Sequence, residues 1–328
     1  MLWILLACSH DPVDSGPTFT YPRDDELRVT DGQFLGTHNS THIQPEDPLS
    51  VEWEYTHAPL DVQFGEQGVR QIELDIHYTA EGGGFEVYHI PNVDAETTCL
   101  ALSDCLTTIR DWSDDHPGHF PILVMVEPKD DVDSQKLKGR FDLLDEAILE
   151  VFPAQHLIRP DDLQGGYATL GEAVRTEGWP TLGDARGKVI FALLDSGEYR
   201  DEYSADQTSL VGRVLFTEAD TVDDALAAVM KPDDPIADAT TIAEAAAAGL
   251  LIRTRADSGG GEVDETDSAQ LQAALASGAN FLSTDYPAPV EGVDYVAEIP
   301  DGTPGRCNPV TAPADCVATE IEDPEQLY

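Results

Sequence analysis

Positive charge is scarce in this sequence. Of 328 residues, 18 are Lys or Arg and 63 are Asp or Glu, which gives a formal net charge of −45. This balance excludes nucleic acid as a partner, because the phosphate contacts that dominate such binding need patches of Lys and Arg. The acidic surplus is spread along the chain. It is typical of a solubilising surface in a salty habitat, with attraction of divalent cations as the alternative.

Long apolar runs are also missing. A membrane-spanning helix needs roughly twenty apolar residues, and the sequence contains no such run. The stretch MLWILLAC over residues 1–8 is shorter and resembles a bacterial lipoprotein signal, with Cys8 as the residue that would be lipidated. It predicts export, either to the cell envelope as a peripheral, lipid-anchored protein or by secretion. Because this signal is of a bacterial type, we do not expect glycosylation of Asn39, although Asn-Ser-Thr fits the acceptor pattern.

Cysteine is sparse as well. Apart from Cys8 there are four cysteines in two local pairs, Cys99 with Cys105 and Cys307 with Cys316. An even number in close pairs predicts two small disulfide loops formed in an oxidising compartment. Zinc is the competing interpretation, but neither pair has the short spacing of a zinc knuckle. We therefore favour disulfides.

The sequence alternates apolar β-type runs with helical or loop segments. Strands are predicted at 33–36, 69–77, 85–90, 121–127, 188–194, 213–216, 250–256 and 280–285, and helices at 134–152, 221–230, 241–249 and 267–278. This alternation predicts an α/β fold, a single-domain (β/α)8 TIM-type barrel with possible distortion. An open doubly wound sheet is the alternative, but the Gly-rich phosphate turn expected after its first strand is missing.

Composition shifts suggest the domain organisation. We predict a lipoprotein-type signal peptide over residues 1–8, a polar linker over 9–28 and the barrel over 29–292. An acidic, Pro-rich tail with its own disulfide follows over 293–328. We expect the protein to be a monomer.

Polar side chains collect where the first four predicted strands end. In chain order they are His38, Asn39, Glu73, Asp75, His77, His89, Glu127 and Lys129. Alternation places Glu73, Asp75 and His77 on one face of the second strand. Since the C-terminal ends of barrel strands converge on one mouth, we expect these side chains to meet there.

The residue types in this set indicate a cation site. Three carboxylates and an amide oxygen are the hard ligands that Ca2+ or Mg2+ prefers, and zinc does not. Inward-facing carboxylates are costly unless they are paired or bind a cation. Two histidines beside such a site could move protons on both sides of a phosphate.

Several segments together resemble the calcium-dependent phosphoinositide-specific phospholipase C-like family of bacteria. They are GTHNSTH, GVRQIELDIH, FEVYHIPNVD, CLALSDCLTTIRDWSDDHPGHFPILVMVEPK, RTRADS and SGANFLSTDYP, which occur in the family's order between residues 30 and 290. The resemblance implies that Asn39, Glu73, Asp75 and Glu127 bind Ca2+. It implies that His38 and His89 are the catalytic pair. The pair Cys99 and Cys105 also matches a cysteine pair of these relatives.

The resemblance also implies a reaction. The inositol 2-hydroxyl of a phosphatidylinositol-type lipid attacks phosphorus, and Glu73 takes the hydroxyl proton. His38 stabilises the phosphoryl oxygens, and His89 protonates the departing diacylglycerol oxygen. The products are diacylglycerol and an inositol phosphate that is cyclic unless water opens it. Lys129, Arg253 and Arg255 are weaker candidates for substrate contacts.

The remaining polar residues are expected to play lesser roles. His42, His77, Asp257 and Asp285 are predicted to be supporting or structural. No role is predicted for the other histidines of the chain outside the N-terminal stretch: His57, His116, His119 and His156.

Three alternatives stay open at this point. A glycerophosphodiester phosphodiesterase has a similar barrel with two histidines and a bound cation, but it uses water as the nucleophile and forms no cyclic product. A calcium-binding surface lipoprotein without turnover is the second alternative, and an acidic structural lipoprotein is the third. The substrate is either a phospholipid or a small phosphodiester, because a surface of this charge repels an anionic bilayer.

Overall fold

The computed structural model describes residues 20–79, 84–129, 137–257 and 265–327. The strands are β1 (Gly32–Thr37), β2 (Val69–Thr79), β3 (Gly84–Val87), β4 (Ile122–Pro128), β5 (Leu157–Ile158), β6 (Val189–Leu193), β7 (Phe216–Thr217), β8 (Val229–Met230), β9 (Leu251–Arg255), β10 (Phe281–Thr284) and β11 (Arg306–Cys307). The α-helices are α1 (Leu60–Gly65), α2 (Leu102–Asp115), α3 (Phe141–Val151), α4 (Pro160–Gln164), α5 (Leu170–Glu177), α6 (Leu182–Ala185), α7 (Glu198–Tyr203), α8 (Ala239–Ala247), α9 (Glu265–Ala276) and α10 (Ala318–Ile321).

Parallel strands form the barrel. Around the ring they run β1, β2, β4, β6, β7, β8, β9 and β10, and β10 pairs with β1. The seam between β7 and β8 is joined by one parallel bridge, between Glu218 and Val229. The predicted (β/α)8 TIM-type fold is confirmed, and its irregular part lies at this seam.

The central strands read as continuous apolar runs because both of their faces are covered. All five residues of β6 are buried, as are the first five of β4. Phe34, Phe120 and Phe281 pack together inside the barrel, with ring centroids 4.4 Å apart for Phe34 and Phe120 and 6.4 Å apart for Phe120 and Phe281. Burial of this kind supplies the main favourable free energy of folding.

The prediction that residues 85–90 form the third barrel strand is wrong. β3 runs antiparallel to the upper part of β2, with Val87 opposite Ile76 and Gly84 opposite Thr79. It belongs to a hairpin that β2 forms after it has passed the barrel mouth. The chain therefore returns toward the mouth and places His89 there from above, in the segment that follows β3.

The predicted helix over 221–230 is also wrong. The Asp224 side chain accepts hydrogen bonds from the backbone N–H groups of Asp220 and Thr221, at 2.9 and 3.0 Å, and this local bonding competes with a helix. The segment then ends in β8, where Val229 is fully buried in the barrel wall. The strand predicted at 213–216 overlaps the observed strand β7, Phe216–Thr217, only at Phe216.

The other helix predictions are confirmed with shifted ends. α3, α8 and α9 correspond to the segments predicted at 134–152, 241–249 and 267–278, although residues 134–136 lie outside the described part. Gly249 has a φ of +77°, the left-handed conformation that glycine tolerates after a helix.

The C-terminal segment packs against the lower end of the barrel. β11 pairs antiparallel with the start of β1, and Ile321 and Glu322 are fully buried. Cys99 is bonded to Cys105 and Cys307 to Cys316, which confirms both predicted disulfides. The domain boundaries stay a prediction, although Leu27, within the predicted linker, is fully buried.

The predicted signal peptide, with Cys8, lies outside the described residues. None of the described helices combines the length and the apolar character that a bilayer crossing requires.

Candidate active site

Three carboxylates meet at the barrel mouth. Asp75 on β2 and Glu127 on β4 are direct neighbours in the parallel register, so their side chains leave the same face of the sheet. Glu73 lies two residues earlier on that face. One oxygen from each of the three lies within 4.8 Å of the other two. The sequence-predicted carboxylates therefore do come together.

The site fits a divalent cation. Asn39 Oδ1 and Asp75 Oδ1 are both buried without a hydrogen-bond partner among the described residues, and such oxygens are costly unless something coordinates them. Burial, together with the negative charges of Glu127 and Glu73, raises the pKa of Asp75 well above its usual range against the opposing charge of Lys129. Carboxylate and amide oxygens are the ligand types that Ca2+ prefers.

His38 lies directly after β1 and beside this cluster. Its Nδ1 is 3.1 Å from Asp285 Oδ1, and its Nε2 is 3.8 Å from Glu73 Oε1. Burial and the positive charge of Arg255 lower the pKa of His38 well below its ordinary value, although Glu73 opposes the shift. His38 Nδ1–H donates a hydrogen bond to Asp285, so Nε2 is the nitrogen that faces the mouth.

His57 supports His38 through the backbone. Its Nε2 is 2.9 Å from the carbonyl oxygen of His38. Burial lowers the pKa of His57 to about 4, so at neutral pH an uncharged ring donates this hydrogen bond. The Tyr55 hydroxyl also lies within 3.5 Å of His38 Nδ1.

His89 enters the mouth from the hairpin and is held on several sides. Its Nδ1 is 2.5 Å from Asp94 Oδ2. The Nε2 of His77 lies 2.8 Å from the Tyr88 carbonyl oxygen and 3.3 Å from that of His89. The Trp53 ring stands edge-on to the His89 ring, with centroids 5.9 Å apart.

Asp94 joins two histidines. Its other carboxylate oxygen is 2.8 Å from His42 Nε2, and His42 Nδ1 is 3.0 Å from the Tyr55 carbonyl oxygen. Burial alone would raise the pKa of Asp94, but the hydrogen bonds from His42 and His89 lower it to about 2. Asp94 is therefore ionised at neutral pH and accepts hydrogen bonds from both rings.

The three cations that were predicted to touch substrate are engaged by carboxylates. Lys129 Nζ is 2.9 Å from Glu127 Oε1. Arg253 Nη2 is 3.0 Å from Glu73 Oε2, and Arg253 also pairs with Asp233. Arg255 Nη2 is 3.1 Å from Asp285 Oδ2. Their positions place all three at the mouth, and their contact with substrate stays a prediction.

Several residues of the site were missed in the sequence. Asp94, Tyr55, His57 and Asp233 were not assigned any function, and Asp285 was expected only to be supporting. The segment FEVYHIPNVD contains His89 and Asp94 within six positions, so a turn at Pro91-Asn92 was an available signal for that pair. The contacts between His57 and His38, and between Asp233 and Arg253, had no local signal.

A known family matches most of the chain. The family described as phosphoinositide phospholipase C, Ca2+-dependent, matches residues 79–309. That range includes His89, Asp94 and Glu127 and begins after Glu73 and Asp75. No curated protein sequence matches the chain.

Solved structures share the fold. A calcium-dependent phosphoinositol-specific phospholipase C from Pseudomonas sp. is 22% identical, with a TM-score of 0.58, and the match covers 85% of this chain and 98% of that one. A Ca2+-dependent phosphatidylinositol-specific phospholipase C from Streptomyces antibioticus is 22% identical, with a TM-score of 0.59 and coverage of 80% and 95%. A phosphatidylinositol-specific phospholipase C from Staphylococcus aureus is 16% identical, with a TM-score of 0.55 and coverage of 84% and 93%.

The barrel is thus common to this chain and to these bacterial enzymes, and the family match extends over most of it. The acidic cluster at the mouth supplies the ligands that a calcium-dependent enzyme needs. The chain therefore belongs to the family of Ca2+-dependent phosphoinositide phospholipases C, which are phosphodiesterases.

Proposed function

We propose that this protein cleaves phosphatidylinositol-type phospholipids to diacylglycerol and an inositol phosphate, by attack of the inositol 2-hydroxyl on phosphorus. One observation carries the proposal. The cluster of Glu73, Asp75 and Glu127 lies at the mouth of a barrel of this family, with His38 beside it and His89 entering the same mouth on a separate loop.

Glu73, His38 and His89 would each have a separate role in this cleavage. A bound Ca2+ would lower the pKa of the inositol 2-hydroxyl and neutralise charge on the phosphate. Glu73 takes the hydroxyl proton. A phosphate anion beside His38 Nε2 raises the pKa of His38 against the effect of burial, and the protonated ring then donates a hydrogen bond to a phosphoryl oxygen. His89 gives its proton to the departing diacylglycerol oxygen.

An apolar rim beside the mouth supports a lipid substrate. The rim consists of Leu49, Val51 and Trp53, in the loop that follows β1. Leu49 is 72% exposed and Val51 is 57% exposed, while the Trp53 ring reaches His89. Exposed apolar side chains gathered next to a polar site are suited to contact with a lipid surface.

Replacing Leu49 and Val51 together by serine is expected to lower activity on phosphatidylinositol vesicles by about 30-fold, since the two lost apolar contacts with the bilayer are worth roughly 1 kcal/mol each. Hydrolysis of a short-chain, monomeric phosphatidylinositol should not change. The control is Val211→Ser with Val310→Ser, because these valines have comparable exposure, 69% and 56%, but lie away from the rim. Rates would be measured in high salt, which screens the repulsion between the acidic protein and the anionic lipid. Equal losses in both double variants would contradict a role for the rim.

The proposed reaction is tested by incubating the purified protein with phosphatidylinositol in mixed micelles, with Ca2+ or with chelator. Phosphorus-31 NMR follows the products. We expect inositol 1,2-cyclic phosphate to form only with Ca2+. Release of glycerol phosphate from glycerophosphodiesters, without turnover of phosphatidylinositol, would replace this function by that of a glycerophosphodiester phosphodiesterase.

We propose further that the protein acts outside the cytoplasm, as a monomer tethered through a lipid on Cys8 or released by secretion. The two disulfides support an oxidising compartment, since such bonds persist mainly in exported proteins. The MLWILLAC stretch supports the lipid anchor.

A further inference from the structure

A tight turn after His89 brings a carboxylate back beside its ring. Ile90 and Asp94 exchange both backbone hydrogen bonds, at 2.8 and 3.0 Å. Pro91 fixes its own φ, and Asn92 takes a φ of +66°, a left-handed conformation that asparagine tolerates well. The local sequence IPNVD therefore sets the position of Asp94 relative to a histidine five residues earlier.

Asp94 is also tied to the loop that follows β1. It is fully buried, and His42, which is itself buried, holds its second oxygen at 2.8 Å. The two loops are joined by backbone hydrogen bonds from Thr98 to Thr41, at 2.8 Å, and from Ile43 to Glu96, at 3.1 Å. A carboxylate fixed from both sides has little freedom to rotate, so it can define the orientation of the ring that it binds.

We propose that Asp94 is the positioning residue for His89 and that His42 holds Asp94 in place. The inference rests on the proposed function, because it takes His89 as the general acid. Held at Nδ1 by Asp94, His89 has only Nε2 left for the mouth. The Nε2 proton passes to the diacylglycerol oxygen as its bond to phosphorus breaks. The inositol 2-oxygen forms the new bond to phosphorus, and its proton passes to Glu73.

The other histidine has a carboxylate of its own. His38 is oriented by Asp285, which follows β10. Asp285 also accepts a hydrogen bond from Arg255. The two histidine–carboxylate pairs thus lie on different loops, although His42, which holds Asp94, lies in the same loop as His38. Loss of Asp94 should therefore disturb protonation of the leaving group while His38 and the carboxylate cluster keep their positions.

The role of Asp94 can therefore be tested with two substrates that differ in whether their leaving group needs a proton. The substrates are dihexanoyl phosphatidylinositol, whose alkoxide must be protonated, and inositol 1-(4-nitrophenyl phosphate), whose phenolate leaves without a proton. For Asp94→Asn we expect kcat on the lipid to fall about 100-fold, within the range for a lost general acid, with less than about a fivefold fall on the nitrophenyl ester. KM should stay the same for both. His42→Gln should show the same selectivity with a smaller loss.

Two further variants separate positioning from general damage. Asp145 is another buried aspartate, bonded to Tyr203 at 2.6 Å and to Arg213 at 3.0 Å, outside the mouth. Asp145→Asn is expected to leave both rates unchanged even where it lowers stability. Adding Asp94→Asn to His89→Ala should cost nothing more, since residues that act through one another are not additive.

The positioning role of Asp94 and the proposed lipid cleavage can fail separately. Equal losses of Asp94→Asn on the two substrates, or a further loss in the His89→Ala background, would overturn the positioning role alone. A wild-type protein without calcium-dependent turnover of the lipid overturns the proposed function and this inference with it. If Asp94→Asn does not fold, the His42→Gln variant is used in its place. Equal losses of kcat on the lipid and on the nitrophenyl ester in that variant would refute the proposal. In calcium-free wild-type protein, imidazole nitrogen NMR should show hydrogen on His89 Nδ1, and this signal should change in His42→Gln.

Discussion

His38→Ala is expected to lower kcat on phosphatidylinositol by about 100-fold or more, the usual range for loss of a group that moves or donates a proton in the transition state. The ring lies between Asp285 and Glu73, with Nε2 toward the carboxylate cluster. Charge develops on the phosphoryl oxygens whichever group leaves. The loss should therefore appear on both the lipid and the nitrophenyl ester, measured by product release at saturating Ca2+.

The matched control is His156→Ala. His156 is half-buried and lies before β5, where its Nδ1 is 3.7 Å from Asp114, away from the mouth. Activity should stay within a factor of about two of the wild type, as expected for a surface substitution distant from the site. A His38→Ala protein that folds and retains more than about a tenth of the activity would remove His38 from the catalytic pair.

Glu322→Ala is expected to destabilise the protein by about 3–5 kcal/mol, the cost of leaving a buried charge without its partner. Glu322 binds Arg70 through two contacts, at 2.5 and 2.9 Å, and accepts the Phe120 N–H at 2.6 Å. Arg70 and Glu322 are both buried. Denaturant unfolding at neutral pH measures the change in the free energy of unfolding.

Two variants check the cause. Glu325→Ala removes an exposed carboxylate from the same segment and should change stability by no more than about 0.5 kcal/mol. Replacing the pair together, Arg70→Met with Glu322→Leu, should recover part of the loss, since neither charge is then left alone while the Phe120 N–H still lacks its acceptor. A loss below about 1 kcal/mol for Glu322→Ala would mean that the Arg70 guanidinium finds other partners or water.

The barrel could be predicted because its signals are local. β2, β4, β6, β9 and β10 are recognisable as short apolar runs between helical segments, and the barrel rule then places their C-terminal ends together. Asp75 and Glu127 are neighbours for this reason alone. The weak strands were harder to find, because β7 and β8 each contain two residues, too few to show a period. The strand predicted at 213–216 overlaps β7 only at Phe216, and β8 was predicted as part of a helix.

The mistaken third strand shows where the strand rule fails. Residues 85–87 have the composition of a barrel strand, but β3 pairs antiparallel with an extension of β2. The sequence does not specify on which side, or in which direction, a short apolar run pairs. His89 nevertheless lies at the mouth, as expected from the sequence. The hairpin returns to the mouth from above and brings His89 to the place that the end of a third barrel strand would have reached.

By itself, the sequence determined the ligand types, their order along β1, β2 and β4, and the two disulfides, since each depends on residues close together in the chain. Only the tertiary structure decided which carboxylate binds His38 and what closes the lower end of the barrel. Asp285 meets His38 across 247 residues, and Glu322 meets Arg70 across 252. Such contacts leave no spacing to detect, because they follow from the closure of the sheet and the packing of the final segment against it.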